Sequence, residues 1–221
     1  MSTVVDSPPP MVWVTVADLW EQLGEVPFGR IRLIPTPGTA CEQDVLDLIN
    51  HADQTCELVD GVLVEKTMGY MESLLAMAIG EFLRRFVRKR KLGIVLGEAG
   101  TLKILSDQVR IPDVCFLSWD RFPGGKLPKT PIPAVAPDLA VEVLFESNSE
   151  GEMRRKLQDY FTAGVRLVWY IDPRNRTAAV YTSPEQCTVL DENGVLTGGD
   201  VLPGFELPLG ELFAEIEGRQ A

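Results

Sequence analysis

Residues 139–172 contain two apolar runs on either side of a segment with helical features. The first run, "LAVEVLF", is apolar except for one glutamate, and the second, "VRLVWYIDP", stops at a proline. The segment between them, "SEGEMRRKLQDYFTAG", begins with a capping-box pair, Ser149 and Glu152, and ends at Gly164. Two strands joined through a helix normally lie parallel in one sheet, connected by a right-handed crossover. This segment therefore predicts an α/β fold.

Elements elsewhere in the chain indicate that the sheet is mixed. The stretch "CELVDGVLVEK" predicts an antiparallel hairpin, because Asp60 and Gly61 suit a two-residue turn. The stretch "ESLLAMAIGEFLRRFVRKRKLG" predicts a long amphipathic helix that Gly93 ends, and "VRIPDVCFLSW" predicts one strand entered through a proline. We therefore expect a central mixed β-sheet flanked by helices.

The chain is expected to divide into three parts. Residues 1–12 contain a proline run and predict a disordered tail. Residues 13–54 hold two short helix patterns, "TVADLWEQLG" and "EQDVLDLINHAD", and predict a small helical N-terminal extension. Residues 55–221 are long enough for one domain with its own hydrophobic core.

Charge and hydropathy limit the class of protein. The net charge of −11 argues against a protein that coats nucleic acid nonspecifically. No apolar run reaches the roughly 18 residues that span a bilayer, and the N-terminus lacks the basic and apolar regions of a secretory signal. We therefore expect a cytoplasmic protein that does not bind membranes.

Cysteine and histidine usage limits the kinds of metal site. The cysteines at positions 41, 56, 115 and 187 form no C-x-x-C pair, so free thiols are expected rather than a zinc site. The single histidine, His51, excludes a site with several histidine ligands, and its place near a predicted helix end suits a surface or capping residue.

Two acidic residues interrupt predicted strands, namely Asp113 in "RIPDVCFL" and Glu142 in "LAVEVLF". Because side chains alternate along a strand, Glu142 shares a face with Ala140 and Leu144, and Asp113 shares one with Cys115. If the two strands are neighbours, both carboxylates can converge on one point. Close carboxylates repel unless a cation or proton lies between them. Oxygen ligands alone suit a hard divalent cation such as Mg²⁺.

The helix after Glu142 can return a basic residue to this point. The strand advances roughly 10 Å beyond Glu142 at ~3.3 Å per residue. The helix then travels back roughly 10 Å at ~1.5 Å per residue, which brings Lys156 to the level of Glu142. The flexible side chain of Lys156 could place its ammonium beside the metal site. By the same measure Asp138 lies ~13 Å from Glu142, too far to share one metal.

These residues resemble the PD-(D/E)xK nuclease superfamily, through Asp113 in "IPD", Glu142 in "VEV" and a lysine nearby. From about Cys56 to Phe213 the chain more closely resembles the Uma family of restriction-endonuclease-like proteins. Each matching stretch is weak alone, but their order makes the resemblance specific. The stretches are "CELVDGVLVEK", "VRIPDVCFLSWDR", "APDLAVEVL", "KLQDYFTAGVRLVWYIDP" and "GGDVLPGFELPLGELF".

The resemblance implies a restriction-endonuclease-like fold and Mg²⁺-dependent hydrolysis of DNA phosphodiester bonds, with Mn²⁺ as a substitute ion. It implies that Asp113 and Glu142 hold the metal and that the backbone carbonyl of Val143 adds a ligand. The superfamily lysine lies two residues after the glutamate, where this chain has Leu144. The resemblance instead places the lysine on the following helix, at Lys156.

The resemblance also names residues whose contribution is less defined. Glu72 matches an acidic residue of the first core helix that assists the metal, although many Uma members have a histidine near this position. Its structural interpretation is a helix-start residue whose charge is favourable to the helix dipole. Glu57, in "ELVDG", matches a recurrent family position and is a candidate catalytic residue with no assigned step. Phe145 stands where relatives commonly have serine, which changes the expected rim of the site.

Each candidate residue also has a purely structural interpretation. Asp113 could cap a turn after Pro112, and Glu142 could form a buried ion pair with Arg110 or Lys156. Lys156 could simply lie on a solvated face of a charged helix. The alternative function is therefore a noncatalytic binding or regulatory module with a nuclease-like fold.

Other features leave the partners open. The run "RRFVRKRK" is either a solvated helix end that complements the macrodipole or a patch for the phosphate backbone. Trp169 and Tyr170 are expected in the core rather than stacked on bases. DNA is the expected substrate, and a homodimer is one assembly that would present two sites to the two strands of a duplex.

Overall fold

The computed structural model describes residues 13–51 and 54–217. The predicted disordered tail, residues 1–12, lies outside the described residues. The α-helices are α1 (Val16–Gln22), α2 (Glu42–His51), α3 (Tyr70–Arg90), α4 (Glu150–Thr162) and α5 (Leu209–Ala214). The strands are β1 (Cys56–Val59), β2 (Val62–Glu65), β3 (Gly93–Leu96), β4 (Leu102–Leu105), β5 (Gln108–Arg110), β6 (Val114–Ser118), β7 (Leu139–Val143), β8 (Leu167–Asp172), β9 (Thr177–Ser183), β10 (Gln186–Leu190), β11 (Val195–Gly198) and β12 (Leu202–Pro208).

A six-stranded sheet forms the centre of the fold, in the order β10-β9-β8-β7-β6-β3. β7 and β8 pair in parallel through the crossover helix α4, as the sequence predicts, and the other neighbours in this sheet are antiparallel. The expected α/β class with a mixed sheet is therefore confirmed.

The two faces of the central sheet carry different helices. Val141 and Val143 of β7 pack into the cluster that contains α3, whereas Ala140 packs with Leu157 and Tyr160 of α4. This alternation is the ordinary consequence of a pleated strand. It directs the Glu142 side chain, in phase with Ala140, toward α4.

A second sheet, in the order β2-β1-β5-β4, lies beside the first, and β11 and β12 form a separate hairpin. The β1–β2 turn has positive φ at Asp60 (50°) and Gly61 (74°), which is the geometry expected of an Asp-Gly hairpin. Val45 of α2 and Leu19 of α1 pack against this second sheet. The division of the chain at residues 12 and 54 stays a prediction.

Three local expectations are corrected. The stretch "VRIPDVCFLSW" forms two strands, because Pro112 has no N–H to donate and the chain passes from one sheet to the other. α3 ends before Gly93, since Lys91 already adopts the left-handed conformation at φ 56°. Ser149 caps α4, but the Glu152 carboxylate binds Arg30 instead of completing a capping box.

None of the helices in the described part of the chain combines the length and the hydropathy needed to cross a membrane.

The buried Arg30–Glu152 pair should contribute strongly to stability. Arg30 binds both carboxylate oxygens of Glu152, at 2.8 and 2.9 Å, and both side chains are buried. Replacement Arg30→Met leaves a buried carboxylate unpaired, so we expect the free energy of unfolding to fall by about 3–5 kcal/mol.

Arg32→Met is the matched control for urea unfolding. The Arg32–Glu65 pair is about one-third exposed, at 30% and 32%, so its loss should cost less than about 1 kcal/mol. Equal losses for the two variants would contradict a structural role for the buried pair.

Candidate active site

The pairing of β6 with β7 brings the two strand-borne acids together. Val114 lies opposite Val141 in the antiparallel register. Extending this register by one residue sets Asp113 opposite Glu142. Both carboxyls follow the face that contains Cys115, Ala140 and α4, as the alternation of side chains predicts.

The Asp113 carboxylate is held by one backbone amide and one ammonium. Val143 N donates to Asp113 Oδ2 at 2.6 Å, and Lys66 Nζ lies 2.7 Å from Asp113 Oδ1. Lys66 also donates to the carbonyl of Ile111. Asp113 is therefore fixed at the end of β7, with one oxygen bound to the backbone and the other to a cation.

Lys156 reaches the same region from α4, as the distance argument predicts. Its Nζ lies 3.4 Å from Glu142 Oε2 and 3.2 Å from Glu57 Oε1. The Tyr160 hydroxyl donates to the other oxygen of Glu142. The structure thus brings together four predicted residues, which are between 2% and 4% exposed: Glu57, Asp113, Glu142 and Lys156.

A second layer of contacts fixes Glu57. The backbone N–H of Ile111 donates to Glu57 Oε1 at 3.0 Å, and Arg110 binds Glu57 Oε2 at 2.8 Å. Arg110 also pairs with Asp159 on α4. One connected set of ionic contacts therefore links β1, β5, β7 and α4. The predicted alternative partner of Glu142, Arg110, instead neutralises Glu57 and Asp159.

Burial and neighbouring charges shift the proton affinities in opposite directions. Burial raises the pKa of Glu142 to about 7, with Asp113 adding repulsion and Lys156 opposing the rise. Burial also penalises ionised Glu57, but Lys156 and Arg110 outweigh it and hold the pKa of that carboxyl well below its usual range. Burial disfavours the charged form of Lys156, yet Glu142 and Glu57 raise its pKa above the ordinary value. Glu142 therefore keeps its proton to a higher pH than Glu57 does.

The structure does not bring Glu72 into this set of contacts. Gly69 lies directly before α3, and a β-carbon at this position would lie only 2.2 Å from Glu72 Oε2. The Glu72 carboxylate therefore folds back over the start of α3. Among the described residues, Glu72 has no hydrogen bond or ion pair with Glu57, Asp113, Glu142 or Lys156. Its predicted role in assisting the metal stays a prediction.

Several sequence interpretations concern residues outside the site. Asp138 accepts from the Ser118 N–H and pairs with Arg121 and Arg166, so it stabilises a loop far from Glu142's contacts. Trp169 is fully buried and stacks on Phe205 in the core, as expected.

The basic run at the end of α3 lies at the surface and has mixed surroundings. Its six charged residues, from Arg84 to Lys91, are all exposed. Arg90 lies over the Phe86 ring and donates to the carbonyl of Pro203. Arg84 lines a cleft that also contains Asp113. The proposed contact of this run with a phosphate backbone stays a prediction.

Two adjoining clefts give access to the site. One, of about 710 Å³, lies between α3 and residues 95–100 and includes Asp113 in its wall. The other, of about 490 Å³, includes Lys66. The two clefts share Ser73, Glu98 and Ala99. A ligand can therefore approach the Asp113 side of the site from solvent.

The carboxylate oxygens fit a hard divalent cation that takes few of its ligands from the protein. Asp113 and Glu142 face each other, and the charge of Asp113 disfavours the ionised form of Glu142. In the described ranges no group of three or more His, Cys, Asp and Glu residues could hold a metal ion. Mg²⁺ commonly binds one or two carboxylates and keeps several waters, so two facing acids with the Val143 carbonyl are a sufficient protein contribution.

Sequence reasoning missed Lys66, Tyr160 and the Arg110–Asp159 pair. Lys66 ends the hairpin stretch "CELVDGVLVEK", so a signal was present: a lysine at the end of a strand next to a candidate acid, Glu57. The pairing of Lys66 with Asp113 depends on how the two sheets pack together, and no local sequence pattern predicts that packing.

The family is shown by a match over most of the chain. A family model matches residues 42–210 and is described as "Putative restriction endonuclease"; the family is Uma2. The chain belongs to the Uma2 family. The Uma2 match begins at the first residue of α2 and contains every candidate site residue.

A solved structure confirms the fold. The chain is similar to the crystal structure of "a putative nuclease belonging to DUF820" from Anabaena variabilis ATCC 29413, at a TM-score of 0.66 and 20% identity. The similarity covers 74% of this Uma2 chain and 92% of that chain. The fold is therefore restriction-endonuclease-like. No curated protein matches the sequence.

The raised pKa of Glu142 makes stability depend on pH. The unfolded chain loses this proton near the ordinary glutamate pKa, whereas the folded chain keeps it up to about pH 7. The free energy of unfolding should therefore fall as pH rises from about 4.5 to 7. Glu142→Gln removes this fall, so the variant should gain on the wild type by up to roughly 3 kcal/mol between pH 5 and 8.

Urea unfolding in EDTA at several pH values measures this effect. Glu146→Gln, at an exposed carboxyl in the following loop, is the control and should follow the wild-type profile. Parallel pH profiles for wild type and Glu142→Gln would show that Glu142 titrates normally in the folded protein.

Proposed function

We propose that this protein is a divalent-metal-dependent endonuclease that hydrolyses phosphodiester bonds of DNA. The observation that carries the proposal is the position of Asp113 opposite Glu142, with Asp113 at the wall of an open cleft. Membership of the Uma2 family and the nuclease description of the Anabaena protein support it.

The metal in this proposal is Mg²⁺, with Mn²⁺ as a substitute. Asp113, Glu142 and the backbone carbonyl of Val143 would hold it. When bound, such an ion polarises a phosphoryl oxygen and lowers the pKa of a bound water.

The chain's own residues supply orientation and charge. Lys156, close to Glu142, would orient the attacking water or stabilise charge that develops on the phosphoryl group. Glu57 is a positioning residue, because it binds Lys156 and is itself held by Arg110. In the reaction the water oxygen bonds to phosphorus, the bond from phosphorus to one sugar oxygen breaks, and that oxygen takes up a proton.

Burial of the ionic contacts favours a second candidate function. Asp113, Glu142 and Lys156 are all more than nine-tenths buried, and internal partners already contact each of them. A noncatalytic binding or regulatory module with this fold would keep the same contacts for stability. It predicts no metal binding at these acids. A cytoplasmic location and a homodimer stay predictions under either function.

Removal of one metal-ligand charge should slow cleavage strongly. With Mg²⁺ or Mn²⁺, we expect the wild type to nick supercoiled plasmid and to cut linear duplex DNA. Asp113→Asn and Glu142→Gln should each lower the rate by about 100-fold or more, because each removes a metal-binding charge.

Asp138→Asn is the control, since Asp138 is equally buried but lies outside the site. Circular dichroism and thermal unfolding show which variants remain folded at the assay temperature. If the wild type cuts no form of DNA and Asp113→Asn behaves identically, the noncatalytic function replaces the nuclease proposal.

A further inference from the structure

Two lysines approach the site from different elements and serve different acids. Lys156, on α4, lies between Glu57 and Glu142. Lys66, directly after β2, binds Asp113 Oδ1 at 2.7 Å. The two ammonium groups therefore have separate carboxylate partners and separate routes into the site.

Only one of these lysines lines a described cleft. Lys66 forms part of the 490 Å³ cleft, and its partner Asp113 forms part of the adjoining 710 Å³ cleft. Of the residues that the structure describes as lining these two clefts, none is Glu57, Glu142 or Lys156. A phosphate that enters from solvent would meet the Lys66–Asp113 pair first.

Lys66 binds the oxygen that a metal ion at Asp113 would need. Asp113 Oδ2 accepts from the Val143 N–H at 2.6 Å, so Oδ1 is the oxygen without a backbone donor, and Lys66 binds that oxygen. Two cations repel when they share one carboxylate oxygen. Metal binding at Asp113 should therefore displace the ammonium, whose flexible stem starts at the cleft wall.

We infer that Lys66 is a second active-site lysine that exchanges Asp113 for a phosphate oxygen of the DNA when a divalent cation binds. It provides a cleft-facing lysine in a chain whose motif position is Leu144, which packs against the apolar cluster under α4. The inference rests on the proposed nuclease function for its substrate. Its competition with the metal stands on the geometry of Asp113 alone.

Lys66 could only support the fold, or it could exchange partners when a metal binds. The two roles predict different effects of its removal on the affinity for Mn²⁺. If Lys66 only supports the fold, its loss loosens the site and weakens or leaves unchanged the binding of Mn²⁺. If Lys66 competes for Asp113 Oδ1, its loss strengthens that binding, because the carboxylate then lacks its counter-ion.

The test uses Lys66→Met. Lys66→Gln is a second variant, whose uncharged amide can still donate hydrogen bonds to Asp113 and to the Ile111 carbonyl. Lys103→Met is the matched control, because Lys103 forms a partly buried pair with Glu42 away from the site. Circular dichroism identifies the folded variants. Mn²⁺ binding is measured by electron paramagnetic resonance without DNA, and binding of a duplex oligonucleotide is measured in Ca²⁺.

We expect Lys66→Met and Lys66→Gln to bind Mn²⁺ about tenfold more tightly than wild type, an ordinary size for coupling between competing ligands. They should bind the oligonucleotide several-fold more weakly and, with Mg²⁺, cleave it about 100-fold more slowly, because the ammonium that would contact the phosphate is lost. Lys103→Met should match the wild type in all three measurements.

The outcomes separate this inference from the proposed function. Unchanged or weaker Mn²⁺ binding in a folded Lys66 variant overturns the inference, even if cleavage also falls. Tighter Mn²⁺ binding with weaker DNA binding supports the inference, even if the wild type cleaves no DNA and the nuclease proposal fails.

Discussion

The hydrogen bond from Val143 N to Asp113 Oδ2 joins the end of β7 to the turn before β6, and the geometry of the site depends on it. It fixes Asp113 at the level of Glu142, so two carboxylates meet in a buried place. Such a pair is costly unless cations surround it. Lys66 and Lys156 meet this requirement from two directions, and Arg110 does so for the neighbouring Glu57. The same contacts hold both carboxylates in place, as the proposed divalent-ion site requires.

The periodicity of apolar residues and the spacing of turn and capping residues were sufficient to predict the central part of the fold. The strand–helix–strand segment fixes a parallel pair of β7 and β8, and the Asp-Gly turn fixes the β1–β2 hairpin. The position of Lys156 followed from element lengths, because the rise per residue in a strand and in a helix is nearly constant. The likeness to Uma proteins added Glu57, which local patterns treat as an ordinary strand residue.

Contacts between elements far apart in the chain could not be predicted. The break at Pro112 sends β5 and β6 into different sheets, and Lys66, which follows β2 of the second sheet, contacts Asp113 beside this break. A capping box was expected from Ser149 and Glu152, but Arg30 attracts the glutamate away from the helix start. A local motif indicates which contacts a residue can make. The packing of distant segments determines which of these contacts is formed.

The central claim is that Asp113 and Glu142 hold one divalent ion. A crystal soaked in Mn²⁺, with anomalous scattering recorded, tests it most directly. The account predicts one anomalous peak at about 2.0–2.3 Å from a carboxylate oxygen of Asp113 and of Glu142. A folded, undistorted site with no peak between these carboxylates at saturating Mn²⁺ would contradict it.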